Sequence, residues 1–256
     1  MRQGSEAMTD HATSPPPLTV VMPAYNEEAS LEEAVKDVQR DVFSVVPDAE
    51  LVVVDDGSRD RTGEILDRLA TGDARIRAIH QRNAGHGAAL RTGLDLARGE
   101  FVLLVDSDRQ IPLASFGPLW QAVRAADAGF GVRRDRHDPR ARLWLTALIN
   151  RIAVPLVFGV RIKDANVPFK IVRRTVWLAA RDIIPPDVLA PSLFLAVFMV
   201  RGGYRIVERE VPHRERSGGV GSIRRWRLLK FSARAFGQLI VFRWRLARRM
   251  PSSRAS

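Results

Sequence analysis

The chain has 256 residues, 46% hydrophobic and 27% charged, which suits one sizeable α/β domain or two small ones and excludes a largely disordered polymer. It contains no cysteine, which excludes disulfide frameworks and thiolate metal sites and fits a reducing compartment; any metal must take oxygen or imidazole ligands. The formal charge of +11 gathers toward the C-terminus, where twelve Lys or Arg stand against one acid, Glu215, from His213 onward; this asymmetry points to nucleic acid or an anionic membrane surface as partner.

Residues 1–17 lack the apolar core of a signal peptide and end in three prolines, predicting a disordered tail on a protein that is not exported. Leu18 to Met22 is a short β-rich run closed by Pro23, and Leu31, Val35, Val38 and Val42 then recur at helical spacing. "AELVVVDDG" predicts a second strand. "RDRTGEILDRLA" follows as a helix with Ile65, Leu66 and Leu69 inward. "IRAIH" is a third strand, and "RNAGHGAALRTGLDLARG" is a Gly-rich segment whose second half is helical. Phe101 to Val105 is a fourth strand, unbroken in its apolar character. Strands alternating with helices at this rhythm imply right-handed βαβ units, hence a mostly parallel sheet with helices on both faces. Farther on, no uncharged apolar run reaches the length of a membrane span. The nearest, 143–162, contains Asn150, Arg151 and Pro155 and reads as interfacial or buried.

In open sheets of this kind ligands bind at the carboxyl ends of the strands, which gathers "PAYNEE", "DDGSRD" and "DSDRQ" into one place. Asp106 and Asp108, flanking Ser107 just past a strand, can aim at a common point and bind a hard divalent cation, with Gln110 as a further oxygen ligand. Mg²⁺ and Mn²⁺ commonly take one or two carboxylates plus substrate phosphates, so this site anticipates a diphosphate. Asp55 and Asp56 can accept from a ribose hydroxyl or a base N–H, Gly57 permits the tight turn, and Asp60 or Thr62 can cap the next helix. Gly85-His86-Gly87 lacks the third glycine of a dinucleotide fingerprint and is not in the first βα turn. His86 is read as a loop side chain, since no acyl-transfer motif accompanies it.

Together "VVMPAYNEE", "VVVDDGSRDRT", "RNAGHGAALRTGL", "VDSDRQIP", "GVRRDR", the segment around Asn150, "KDANVPFKIVRR" and "YRIVEREVPHRERSGG" make the chain resemble family 2 glycosyltransferases of the GT-A fold. The resemblance is strongest to the branch of dolichol- or polyprenol-phosphate sugar synthases. It implies a Rossmann-like nucleotide-diphospho-sugar transferase sheet over residues 18–215, followed by an acceptor loop and a basic amphipathic segment over 216–256. It also implies that Pro23, Tyr25, Glu27 and Asp56 line a nucleoside pocket, with Asp55 and Ser107 among the donor contacts. Asp106, Asp108 and Gln110 would hold Mg²⁺ or Mn²⁺ on the donor diphosphate. Arg133 and Arg142 match phosphate-contacting arginines, and Thr146, one helical turn beyond Arg142, can add a hydroxyl contact. Arg216 matches an arginine of the loop that closes on donor and acceptor. Arginine suits these roles because its planar fork binds phosphate oxygens bidentately.

The implied reaction is inverting transfer from a GDP-mannose- or UDP-glucose-type donor to a polyprenyl phosphate. A saccharide hydroxyl acceptor would need a general base, whereas a phosphate is already anionic. "PPDVLAPSLFLAVFMVRGGYRI" has no acid between Asp187 and Glu208, which favours the phosphate. At the C-terminus, Ser222, Trp226, Leu229, Ala233, Phe236, Ile240 and Trp244 fall at helical spacing, with Arg224, Arg225, Arg227, Lys230, Arg234 and Arg245 largely off that stripe. This pattern fits an interfacial anchor on the cytoplasmic face of a membrane, or a helix covering the core with an arginine-rich solvent face. The chain departs from relatives that carry C-terminal transmembrane helices, leaving peripheral attachment or a membrane-protein partner. It departs again at "GGVGSIRR", where Ile223 and Arg224 follow Ser222 in place of the usual Ser-Lys. Nucleic acid is not expected under this resemblance. Two alternatives stay open: a hydroxyl acceptor served by Asp187 as base, and a catalytically silent scaffold that binds a membrane or nucleic acid through its basic C-terminus.

Overall fold

The computed structural model describes residues 15–134, 149–188, 190–214 and 225–249; within 149–150 and 225–236 the backbone alone is described. Seven strands form one sheet in the order β3-β2-β1-β4-β6-β5-β7: β1 Leu18–Ala24, β2 Glu50–Asp55, β3 Ile76–His80, β4 Phe101–Leu104, β5 Ala128–Arg134, β6 Lys170–Arg173 and β7 Ile206–Pro212. Helices α1 (Leu31–Asp41), α2 (Thr62–Gly72) and α3 (His86–Leu96) connect the first four strands, and α4 (Phe116–Val123) leads to β5. A single π turn at Ile149–Ala153 opens into α5 (Val154–Phe158); α6 (Arg174–Ala180) and α7 (Pro191–Arg201) precede β7, and α8 is Arg225–Arg249.

The central strands β1, β2 and β4 are apolar and buried at nearly every position because both faces are covered, whereas the outer strands β3 and β7 are partly exposed. Val21, Val102, Leu104 and Val172 pack toward α3, α6 and α7, while Val20, Met22, Leu103 and Ile171 pack toward α1 and α4. Leu31, Val35 and Val38 are fully buried on the inward stripe of α1, as their spacing predicts. Gly93 of α3 sits so close to β1 that a Cβ there would lie 2.3 Å from Val21 Cγ1, so the helix can approach the sheet only with glycine at that position.

β1 runs through Pro23 to Ala24, two residues past the expected end at Met22. Val21 bonds toward β4, through Val105 N at 3.1 Å, and Ala24 bonds toward β2, through Asp56 N at 2.9 Å. Pro23 shares the parity of Val21, and its missing N–H therefore faces the side where the β4 ladder has already ended at Leu104. The sheet is mostly parallel, as expected, but β6 enters antiparallel between β4 and β5. The chain leaves β5 at the carboxyl edge and starts β6 from that same edge, so β6 must run backwards. The β5–β6 connection therefore leaves and re-enters the sheet at the edge where β1, β2 and β4 end.

Among the described residues no helix is long and apolar enough to cross a membrane. α5 buries Val154, Val157 and Phe158 and leaves Leu156 79% exposed, so the stretch expected to be interfacial or buried has both faces. α8 packs on α5 and α7 through Phe242, whose ring lies 5.7 Å from Phe158 and 4.9 Å from Phe194. Leu239 and Leu246 are buried beside it, each contributing about 2 kcal/mol by area.

Candidate active site

The site is the carboxyl edge of the sheet. β2, β1 and β4 are neighbours in that order, so Asp55 and Asp56, then Pro23 and Tyr25, then Asp106 to Gln110 emerge side by side. Pro23 is buried and the Tyr25 ring is exposed at the rim. Two loops are laced together there. Asn26, in the left-handed region at φ 54°, donates its N–H to Ser58 Oγ and accepts from Arg59 N, while Glu27 N donates to Thr62 Oγ1 at 2.8 Å. The Glu27 carboxylate accepts from Ser30 Oγ ahead of α1. Asp60 accepts from Thr62 N and Glu28 N, so it both caps the start of α2 and ties down the first loop.

Asp56, 2% exposed, is the hub of this edge. Its carboxylate accepts from Gln81 Nε2 at 2.7 Å, Ala84 N at 2.9 Å and Gly85 N at 2.8 Å. Three of its roughly four acceptor positions are thus used to fold the "QRNAG" loop. Gly57 turns the chain beside it at φ 67°, and a Cβ there would lie 2.7 Å from Asn83 N. Asp55 accepts from Ser58 N and pairs with His80 Nδ1 at 3.0 Å. The Asp67 and Asp55 carboxylates on either side of the His80 ring hold it above the usual histidine range.

At the end of β4, Ser107 is buried while Asp106 and Asp108 are half-buried and open to the rim. Asp108 Oδ1 accepts from Gln110 N at 3.1 Å, closing a short turn. His86, first residue of α3, brings Nε2 within 3.8 Å of Asp106 Oδ1, so the residue read as a loop side chain stands beside the first acid. The described residues include no cluster of three or more side chains able to hold a metal. Two carboxylates opening on a rim suit a hard cation that completes its coordination with phosphate and water, and in that sense Asp106 and Asp108 fit Mg²⁺ or Mn²⁺.

A match to the family model for Glycosyl transferase family 2 covers residues 19–180. The chain belongs to glycosyltransferase family 2. It is 33% identical over 218 residues to an undecaprenyl-phosphate 4-deoxy-4-formamido-L-arabinose transferase of Pseudomonas aeruginosa (strain LESB58), covering 83% of this chain and 62% of that protein. It is 41% identical over 154 residues to an uncharacterized glycosyltransferase of Bacillus subtilis (strain 168), covering 59% of this chain and 44% of the relative. Among solved structures, glucosyl-3-phosphoglycerate synthase from Mycobacterium tuberculosis, in complex with Mn²⁺, UDP and glucosyl-3-phosphoglycerate, superposes with a TM-score of 0.61 at 21% identity, over 89% of this chain and 80% of that one. A mannosyltransferase from Pyrobaculum calidifontis with GDP-Man and Mn²⁺ superposes with a TM-score of 0.57 at 20% identity, over 95% and 77%. The fold is the GT-A fold.

In this family 2 chain Arg133 lies within β5 and not after it. It reaches the same edge, separated from the end of β4 by two strand spacings, roughly 10 Å. Its guanidinium grips Asp164 bidentately, at 2.7 and 2.8 Å, with the two side chains only 5% and 6% exposed. Asp164 carried no signal in the sequence beyond its place in "KDANVPFK". Behind it, fully buried Lys170 donates to the carbonyls of Ala165 and Val167 and to Ser192 Oγ at 2.6 Å, pinning the 164–167 segment to α7. Burial pushes the Lys170 ammonium down to about 7, against the pull of the Asp164 and Asp106 carboxylates. β7 delivers Arg214 to the same edge, where its N–H donates to Gln110 O at 2.8 Å. Arg142, Thr146 and Arg216 lie outside the described residues, as do the side chains of Trp226, Leu229, Ala233 and Phe236.

Proposed function

We propose that the chain transfers a sugar, with inversion, from a nucleotide-diphosphate sugar of the GDP-mannose or UDP-glucose type to a polyprenyl phosphate at a membrane surface. The observation that carries this reading is the convergence of Asp106 and Asp108 with the Asp56-organised loop on one open edge of the sheet. The name of the Pseudomonas relative, of which this chain spans 62%, supports the acceptor class.

In this reading Pro23, Tyr25, Glu27, Asp55 and Asp56 shape the nucleoside end of the donor site, and Ser107 backs the diphosphate. Asp106 and Asp108, with Gln110, hold Mg²⁺ or Mn²⁺, which when bound neutralises charge developing on the departing nucleoside diphosphate. Arg142 and Arg216 bind phosphate oxygens, and Thr146 adds a hydroxyl contact; the phosphate contact expected of Arg133 is not kept in this reading, because its guanidinium is buried against Asp164. A phosphate oxygen of the acceptor attacks the anomeric carbon as the bond to the nucleoside diphosphate breaks, giving a polyprenyl-phosphate sugar. No proton has to be removed from that oxygen, in keeping with α7, which carries no acid and is buried along nearly its whole length.

The α8 helix supports attachment at the cytoplasmic face, where nucleotide sugars are made. Buried Leu239, Phe242 and Leu246 occupy one face, while Ile240, Val241 and Trp244 are exposed on the opposite one at 100° per residue. Arg248 stacks on the Trp244 ring at 3.3 Å, and the helix contains no acid. An apolar face with tryptophan and arginine suits an anionic bilayer. A hydroxyl acceptor is the second reading: exposed Asp187 adjoins Val188, whose carbonyl lies against Gly87 at the start of α3.

The test is a lipid-extraction assay with Mn²⁺ or Mg²⁺, a polyprenyl phosphate and labelled GDP-mannose or UDP-glucose. Organic-phase label is expected with wild type and at least a hundredfold less with Asp108→Ala. Label that instead moves to a saccharide acceptor and depends on Asp187 favours the second reading. Binding of donor without any transfer favours a silent scaffold.

A further inference from the structure

Arg109 stands in the middle of the "DSDRQ" turn and adopts φ 59°, the left-handed region that an arginine enters at a cost. That reversal lets Asp108 Oδ1 accept from Gln110 N and swings the Arg109 side chain back beneath the turn toward α1. There Nε donates to Asp37 Oδ2 at 2.6 Å. Asp37 is only 9% exposed, and its other oxygen meets Arg40 Nη2 at 2.8 Å, so each carboxylate oxygen serves a different arginine. Asp37, Asp106, Asp108 and Arg109 border a small cleft open to solvent, lined also by Met22, Ile111 and Phe169. What ties the turn down is the ion pair to α1 on one side and the Arg214 N to Gln110 O hydrogen bond on the other.

We propose that Arg109, anchored by Asp37, is a positioning residue for the divalent cation, keeping Asp106 and Asp108 aimed at one point. The proposal rests on those two acids being the metal ligands. Charge and positioning predict opposite signs, which makes it testable. A guanidinium close to a cation site repels the cation, so if Arg109 acted by charge alone its removal would tighten metal binding. Loss of the tether loosens the turn and weakens binding.

The experiment is titration of purified full-length protein with Mn²⁺, in the presence of UDP or GDP, following free Mn²⁺ by electron paramagnetic resonance. Arg109→Ala is expected to weaken Mn²⁺ binding about tenfold while the melting curve shows a folded protein. Arg109→Lys, which keeps the charge and one hydrogen bond to Asp37, stays within about threefold of wild type. In turnover, Arg109→Ala raises the Mn²⁺ concentration for half-maximal rate, and kcat at saturating Mn²⁺ changes little. Binding by Arg109→Ala that equals or exceeds wild type overturns the proposal, as does a loss that merely tracks the unfolded fraction. Absence of Mn²⁺ binding in wild type itself overturns the assignment of Asp106 and Asp108, and the positioning role with it.

Discussion

The two ends of the carboxyl edge are built differently. On the β1–β2 side the charged residues are held by the loops that carry them: Asp60 by Thr62, Asp55 by Ser58, and Asp56 by the neighbouring Gly-rich loop. On the β5–β6 side the charges are buried and paired across elements, Arg133 with Asp164 and Lys170 with two carbonyls and Ser192. The first arrangement satisfies buried Asp56 with neutral N–H donors of an adjoining loop. The second removes charge from water and is stable only while every partner is present.

The contrast can be broken at the buried pair first. Asp164→Ala removes the bidentate acceptor of Arg133, and urea unfolding at neutral pH is expected to show a loss on the order of 3 kcal/mol; a loss below about 1 kcal/mol would mean the pair is not effectively buried. Lys170 supplies a pH signature. Its folded pKa is near 7 and the unfolded value is about 10.4, so between these limits the unfolded chain binds the extra proton and stability rises with pH. Wild type should therefore gain on Lys170→Met as pH increases from 7 toward 10, by about 2–4 kcal/mol, and a flat difference in melting temperature would contradict it. On the other side of the edge, Asp56→Asn turns an amide toward N–H donors of the Gly-rich loop. An expected cost of about 1–3 kcal/mol would accompany weaker UDP or GDP binding by calorimetry. The smallest effect belongs to the surface. Arg68→Ala breaks the exposed contact to Glu32, and the melting temperature should not move measurably.

Much of the β1–β2 side was legible because its groups contact neighbours in short loops that follow strands. "DDGSRDRT" and "PAYNEE" announce both their turns and their proximity, since strand order brings adjacent ends together. Asp37 was not legible. It reads as one acid on a solvated helix, and its partner lies 72 residues away in a turn whose left-handed residue is neither glycine nor asparagine. Asp164 was hidden for the same reason, 31 residues from Arg133. The burial of Lys170 was not legible either, because a fully buried lysine is rare and only its three acceptors make it tolerable. The last helix was half legible: Ile240 and Trp244, the two residues of the expected stripe whose side chains are described, face outward, and Leu239, Phe242 and Leu246 face the core.

The sequence by itself determined the class of sheet, the succession of its first four strands and their helices along the chain, the family and the acids at the carboxyl edge. All of these follow from local periodicity and from motifs whose residues act where they stand. Only the tertiary structure decided that β6 runs backwards, that Asp37 pairs with Arg109 beneath the turn after β4, that Arg133 is held by Asp164 and which face of the last helix meets the core. Those choices depend on contacts between segments distant in the chain, where burial and pairing select among arrangements that local propensity leaves equivalent.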